Sequence, residues 1–182
     1  MDRKTHHVNI AGIERELPLF EVKPGLRIAV LNILGDTELV QASAKELMNK
    51  LSSVEYDLIV TAESKSIPLA HAMAVIKGIN YIVLRKSYKP YMGEAIQVQT
   101  NSITTGTPQL LILDEKDRRS MNHKKVLIVD DVISTGSTLE GMRKILEMAE
   151  ATIVAEVAIF TEGDPGDWPE IISLGNLPLF FD

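Results

Sequence analysis

Cysteine is absent from the chain, which excludes a disulfide framework and zinc–thiolate sites and suits a reducing compartment such as the cytoplasm. Aromatic residues are scarce, 5% of the 182, so the core has to be aliphatic. No apolar run reaches the ~20 residues of a bilayer-spanning helix, and the opening MDRKTHHVNIAG lacks the apolar stretch of a secretory signal. A cytoplasmic location with no membrane partner is therefore expected. Excess positive charge is missing too, since 19 Lys and Arg against 25 Asp and Glu give a formal net charge of −6. Without a basic footprint, nucleic acid is not an expected partner. What remains, 45% hydrophobic and 24% charged residues, is the composition of a globular protein, and the length suits a single domain over residues 1–182.

The pattern of apolar residues alternates strand and helix. LRIAVLNI at residues 26–33 reads as a buried strand after the Lys23-Pro24-Gly25 turn, and Val40, Ala44, Leu47, Met48 and Leu51 form one helical stripe over residues 38–51. LIVT at 58–61 is a short apolar run. A helix follows at 67–77, with Pro68 in its first turn and Gly78 beyond its end, and then a further run, YIVL, at 81–84. Strand, helix, strand in this order predicts a parallel unit with a right-handed crossover, hence α/β architecture with a mostly parallel sheet flanked by helices. Residues 85–109 are too long and polar for an ordinary connection. Ile96 and Val98 alternate with Gln97 and Gln99, so the segment reads as a flexible antiparallel lid with its tip at 102–107. Strands are expected again at 126–129 and 153–160, with a helix between them on Leu139, Met142, Leu146 and Ala149. The tail after residue 160 is punctuated by Pro and Gly and has no clear pattern.

Chemistry concentrates in VLIVDDVISTGSTLEGM, residues 126–142. Ser134, Thr135, Gly136, Ser137 and Thr138 open a helix, and backbone amides at such a terminus, with hydroxyls and the helix dipole, bind phosphate. Gly136 lets the backbone approach closely. Asp130 and Asp131 stand just before them and repel an anion, so the ligand has to carry both a phosphate and something that seeks carboxylates. Gly136 to Gly141 has the glycine spacing of a nucleotide-triphosphate loop, but Met142-Arg143 follows where that motif has Lys-Ser/Thr. A dinucleotide G-x-G-x-x-G is absent from this segment. A phospho-acceptor receiver needs a later lysine on a strand, and Lys144, the sole lysine after Asp131, falls in the expected helix.

VLIVDDVISTGST resembles the phosphoribosyl-pyrophosphate (PRPP) motif of the type I phosphoribosyltransferases. The resemblance implies that Asp130 and Asp131 face the ribose hydroxyls and that residues Ser134, Thr135, Gly136, Ser137 and Thr138 hold the 5′-phosphate. TAESKSIPLA resembles the pyrophosphate loop of orotate phosphoribosyltransferases and of the purine operon repressor, which assigns Glu63, Ser64, Lys65 and Ser66 to pyrophosphate. Lys65 and the helix amides behind it form a second anion site on residue chemistry alone. Arg85, Lys86 and Lys89, in VLRKSYKPY, match the basic residues that open the family's catalytic loop, Lys86 as a pyrophosphate contact and Arg85 and Lys89 as catalytic cations. The order of segments over residues 17–160 is most similar to adenine phosphoribosyltransferases. It implies a small hood built from about residues 1–35 and the C-terminal tail, and a homodimer.

This family likeness implies transfer of the 5-phosphoribosyl group from PRPP to a purine-type base, adenine first, in a protein that uses Mg²⁺ held through PRPP and water rather than by a protein cage. Electrostatics carry such a reaction: the acids favour the oxocarbenium-like ribose while Arg85, Lys65 and Lys89 favour the departing pyrophosphate. The base stays open. LRIAVLNIL after K-P-G, ESKSI in the pyrophosphate loop and QTNSIT in the lid each depart from the adenine enzymes' wording. A PRPP- or nucleotide-sensing regulator without transferase activity is the alternative, and the acidic charge and the want of an N-terminal DNA-binding segment oppose a DNA-binding form of it. The four histidines show no metal-ligand spacing. Trp168 is expected either to floor a base pocket or to pack structurally.

Overall fold

The computed structural model describes residues 4–101 and 108–181, so the expected lid tip at 102–107 lies outside the described residues. Eleven strands and four α-helices follow one another in the described chain. At the centre is a five-stranded sheet built from β4 (Leu58–Ala62), β5 (Tyr81–Leu84), β8 (Lys125–Ile133), β9 (Thr152–Glu162) and β10 (Ile172–Leu177). Its spatial order is β10-β9-β8-β4-β5, and every neighbouring pair is parallel. Both faces are covered, which is why these strands read as unbroken apolar runs. On β8, Leu127 and Val129 point into a core shared with α1 (Thr37–Lys50) and α2 (Ile67–Lys77). Val126 and Ile128 point into the opposite core, shared with α4 (Ser137–Met148).

The chain enters this sheet at β4, moves out to the edge at β5, and returns to the other side of β4 at β8 before continuing to β9 and β10. The winding thus reverses between β4 and β8, and a crevice opens at the carboxyl ends of those two strands.

The N-terminal segment departs from the sequence expectation. Only Leu26–Ala29 of the expected strand at 26–33 is β-structure (β3), and it belongs to a separate antiparallel sheet with β1 (Thr5–Ile10), β2 (Ile13–Lys23) and β11 (Phe180–Phe181). After Ala29 the chain leaves the ladder, yet Leu31 and Ile33 remain buried, so their hydrophobicity marks packing beneath the sheet rather than strand pairing. Arg15 on β2 ties this sheet to α1 by bonding Asp36 at 2.8 and 2.9 Å.

Residues 85–101 and 108–113 form a single turn of 3-10 helix at Pro90–Met92 and an antiparallel pair of β6 (Ile96–Asn101) with β7 (Pro108–Leu113), the hairpin stems. The hairpin stems are core: Leu111, Ile112 and Leu113 are buried, and Arg85 and Ile112 exchange backbone bonds of 2.9 and 2.8 Å, joining β7 to the end of β5. Gly141 on α4 is the seat of the hairpin, because a Cβ there would collide with Thr100 and Leu111. One helix, α3 (Glu115–Met121), had no counterpart in the sequence pattern; EKDRRSM is polar and buries Met121 alone.

Candidate active site

A cavity of about 380 Å³ lies over the carboxyl ends of β4, β8 and β9, roofed by residues 28–31, the end of β3 and the two residues beyond it. Its wall divides largely by charge. Ser64, Lys65, Ser66 and Lys86 line it from the loop after β4 and from just beyond β5, with Glu63 among them as the one acid; Asp130, Asp131 and Glu162 line it from β8 and β9, and Ile28, Ala29, Val30 and Leu31 form the apolar roof.

Helix caps reveal what the cavity lacks. α1 is capped by Asp36, whose carboxylate accepts from the Leu39 N–H at 3.2 Å, and α3 by Asp114, which accepts from Lys116 at 2.7 Å. Neither α2 nor α4 has a side-chain cap. These two are the helices that start at the cavity, after β4 and β8; α4 leaves its first-turn amides for a ligand, whereas in α2 the Ile67 N–H already bonds the Ser64 carbonyl at 3.4 Å and Pro68 has no N–H.

At the α4 end, Asp130, Ser134, Thr135, Gly136, Ser137 and Thr138 enclose a smaller concavity of about 80 Å³. Gly136 adopts φ 75°, which an L side chain rarely takes. The Trp168 ring closes over it from behind, so that a Cβ at Gly136 would strike the indole. Trp168 therefore packs against the phosphate-type loop and is not among the residues lining the main cavity; of the two roles expected for it, the packing role is the one observed. The Thr135 and Ser137 hydroxyls meet at 3.2 Å. Ser134 instead donates to the Glu162 carboxylate, so its proton is already committed.

Asp130 and Asp131 end the buried part of β8. Asp130 is only 8% exposed and accepts from the Asp131 backbone N–H at 2.9 Å. Burial first, and then the neighbouring Asp131, raise the Asp130 carboxyl well above the usual carboxylate range. Burial and the adjacent carboxylate thus favour the protonated form of Asp130 in the free protein.

The β4 end carries the second loop, in which the Glu63–Ser64 peptide is cis. Ser66 is buried; its hydroxyl accepts from Thr61 at 2.7 Å, donates to the Ala62 carbonyl at 3.1 Å and also lies beside Asp130. That hydroxyl is satisfied within the protein, so Ser66 shapes the loop rather than offering a free side-chain donor to an anion. The Lys65 ammonium reaches across the cavity to the Leu31 carbonyl at 3.3 Å. Glu63 is also no anion contact by itself. Its carboxylate accepts from the Lys86 N–H at 2.9 Å and from Arg85 Nε at 3.1 Å, and these partners, Lys86 first, lower its pKa. Lys86 is thereby fixed at the cavity wall. Arg85 and Lys89 do not line the cavity themselves: Arg85 stands behind Glu63, which it bonds, and Lys89 precedes the 3-10 turn, exposed.

Sequence reasoning missed Glu162, Gln109 and the roof at 28–31. For Glu162 a signal existed, since a carboxylate at the carboxyl end of a buried parallel strand is placed like Asp130. The strand expected at 153–160 stopped two residues short of it. Gln109 and the roof depend on long-range pairing that no local pattern encodes.

Among curated proteins, the hypoxanthine/guanine phosphoribosyltransferase of Methanocella paludicola is 36% identical over 117 residues, 64% of this chain and 58% of that protein. The purine biosynthesis transcriptional repressor PurR of Bacillus subtilis is 26% identical over 146 residues, 80% of this chain and 50% of the repressor. The matched stretch thus spans little more than half the length of these relatives. Among solved structures, the adenine phosphoribosyltransferase of Thermoanaerobacter pseudethanolicus shares the fold, with a TM-score of 0.68 over 95% of both chains at 18% identity. The family model for the phosphoribosyl transferase domain matches residues 31–170, from the cavity roof to just past Trp168, and with it the chain belongs to the phosphoribosyltransferase family, in its type I α/β fold.

Proposed function

We propose that this protein transfers the 5-phosphoribosyl group of PRPP to a ring nitrogen of a purine-type base, forming a nucleoside 5′-monophosphate and pyrophosphate. One observation carries the reading: two uncapped helix N-termini open on one cavity with the Asp130–Asp131 pair between them. PRPP has that form, a phosphate at each end of a hydroxyl-bearing ribose.

In this reading the loop at Thr135, Gly136, Ser137 and Thr138 holds the 5′-phosphate, and Ser64, Lys65 and Lys86 hold the pyrophosphate at the uncapped start of α2. The C1′–O bond breaks with its electron pair leaving on pyrophosphate. A lone pair on the base nitrogen closes the C1′–N bond, and the proton on that nitrogen passes to water or to the released phosphate. Asp131, with Asp130 behind it, favours positive charge developing on the ribose; Lys65 and Lys86 favour the departing anion. The donors around the pair are oxygens, with no imidazole or thiol among the described lining residues, which suits a hard cation such as Mg²⁺. When bound through Asp131 and water, Mg²⁺ supplies neutralisation of pyrophosphate charge. Arg85 and Lys89 join the anion only if the loop carrying them swings inward. Adenine is the first candidate base, though the relatives' names divide between adenine and hypoxanthine/guanine. The reading includes a homodimer in the cytoplasm, with the hood at residues 1–35 and the tail, and the lid at 85–109, as parts of one domain.

A second reading, a PRPP or nucleotide sensor, draws on the alignment with the repressor and on the absence of Arg85 and Lys89 from the described residues that line the cavity. Calorimetric titration with Mg-PRPP, then a pyrophosphate-release assay over adenine, hypoxanthine, guanine, xanthine and orotate, separates the two. Binding with turnover on a purine is expected. Binding without turnover on any base would leave only the sensor, and no binding would remove both.

A further inference from the structure

Glu162 is a buried acid of the cavity wall that the PRPP-site reading leaves unassigned. Its residue is 7% exposed, it ends β9, and one carboxylate oxygen accepts the Ser134 hydroxyl. The other oxygen has no partner among the described residues and is not sealed from the cavity that Glu162 lines. A buried carboxylate with an open oxygen accepts hydrogen bonds only, so its natural neighbour is an N–H donor.

The sheet order says which reactant lies beside it. The pyrophosphate-type loop follows β4, the acid pair lies near the carboxyl end of β8, and Glu162 ends β9, two strands from β4 and so on the order of 10 Å across the sheet at ~4.8 Å per strand. A nucleophile enters the anomeric carbon on the face opposite the leaving group. With pyrophosphate on the β4 side, the base arrives on the β9 side, under the apolar roof of Ile28 to Leu31.

We propose that Glu162 selects the incoming base, its free oxygen accepting from the exocyclic amino group of an aminopurine and its charge turning away bases that carry a carboxylate. The assignment rests on the PRPP-site reading above. It distinguishes this site from one for orotate, even though the pyrophosphate loop is worded most like that of the orotate enzymes.

The test measures binding rather than turnover. AMP, GMP, IMP, orotidine 5′-monophosphate and ribose 5-phosphate are titrated calorimetrically into wild type, Glu162→Gln and Ser134→Ala. At least one of AMP and GMP is expected to bind wild type about 10-fold or more tightly than IMP, which lacks the amino group, with the orotidine nucleotide weakest. Glu162→Gln should erase that preference and leave ribose 5-phosphate within about 2-fold. Ser134→Ala, which keeps the carboxylate, should keep the preference even if every ligand weakens. Equal affinities in wild type would overturn the assignment. So would a parallel loss of ribose 5-phosphate in Glu162→Gln, which would reduce Glu162 to a support for Ser134. Nucleotide preference without turnover on any base would sink the transferase reading and leave Glu162 as the selector of a sensor; turnover without preference would do the reverse.

Discussion

Replacing Asp130 with Asn should make the free protein more stable and the liganded function worse. Asp130 is 8% exposed and faces Asp131, so its carboxyl is held well above the usual range by burial and then by like charge. A carboxyl whose folded pKa is raised binds its proton more tightly in the folded state. Its contribution is therefore intact at low pH and is lost progressively as pH rises from ~4, the unfolded value, toward the folded one. Each pH unit across that window costs ~1.4 kcal/mol, and a buried carboxyl beside another commonly shifts by several units. Water in the open cavity relieves part of this, so ~2 kcal/mol at pH 8 is a fair magnitude. Asn keeps the shape and still accepts the Asp131 N–H, which wild type bonds at 2.9 Å, without the charge. For a domain of this size the gain corresponds to about 4–8 °C in Tm. Thermal scans of both proteins from pH 4.5 to pH 8.5 at constant salt should show the difference growing with pH and vanishing near ~pH 4. The added Tm rise from saturating Mg-PRPP, ~2.7 kcal/mol at 100 times Kd in wild type, should shrink in the variant. A Tm difference that stays flat with pH, or a variant less stable than wild type at pH 8, would refute the reasoning.

Two further perturbations follow from the site and its support. Glu63→Gln loosens the bonds to Arg85 and to the Lys86 amide, so the Kd for Mg-PRPP is expected to rise about 3- to 10-fold by calorimetry, with ribose 5-phosphate binding unchanged. Unchanged PRPP affinity would show that Lys86 needs no holding. Gly141→Ala forces a methyl into Thr100 and Leu111 and should cost ~1–3 kcal/mol in denaturant unfolding. Hydrogen exchange should then quicken in β6 and β7 more than in β4 and β8; uniform exchange across all four would mean that the hairpin is not seated at Gly141.

Where local pattern and tertiary burial agree, the chain was readable as sequence. α2 was placed at 67–77 because Pro68 and Gly78 bracket it, and both do what their chemistry requires, Gly78 ending the helix at φ 75°. β4, β5 and the core of β8 were readable because a strand buried on both faces leaves an unbroken apolar run. LRIAVLNI carried the same signal and misled, since its second half is buried as irregular chain and its first half joins strands that include Phe180–Phe181 at the far end of the sequence. Pairing at such separation leaves no periodicity to read. At the site, Asp130, Asp131 and the loop at 134–138 are contiguous and carry their own signature, whereas Glu162 and Gln109 reach the cavity only through strand order and hairpin docking. Arg85 and Ser66 show a different limit. Composition says that a charge or a hydroxyl is present, not that Glu63, Thr61 and Ala62 have already claimed it.

The uneven capping of the helices has a consequence for how such a protein ages. Asp36 and Asp114 cap the starts of their helices from within the chain, but α2 and α4 begin without a side-chain cap. In effect an anion at the cavity would stand in for the missing cap of both helices. Without one, proteases and heat should find the loops at 63–66 and 134–138 before the capped starts of the other two helices.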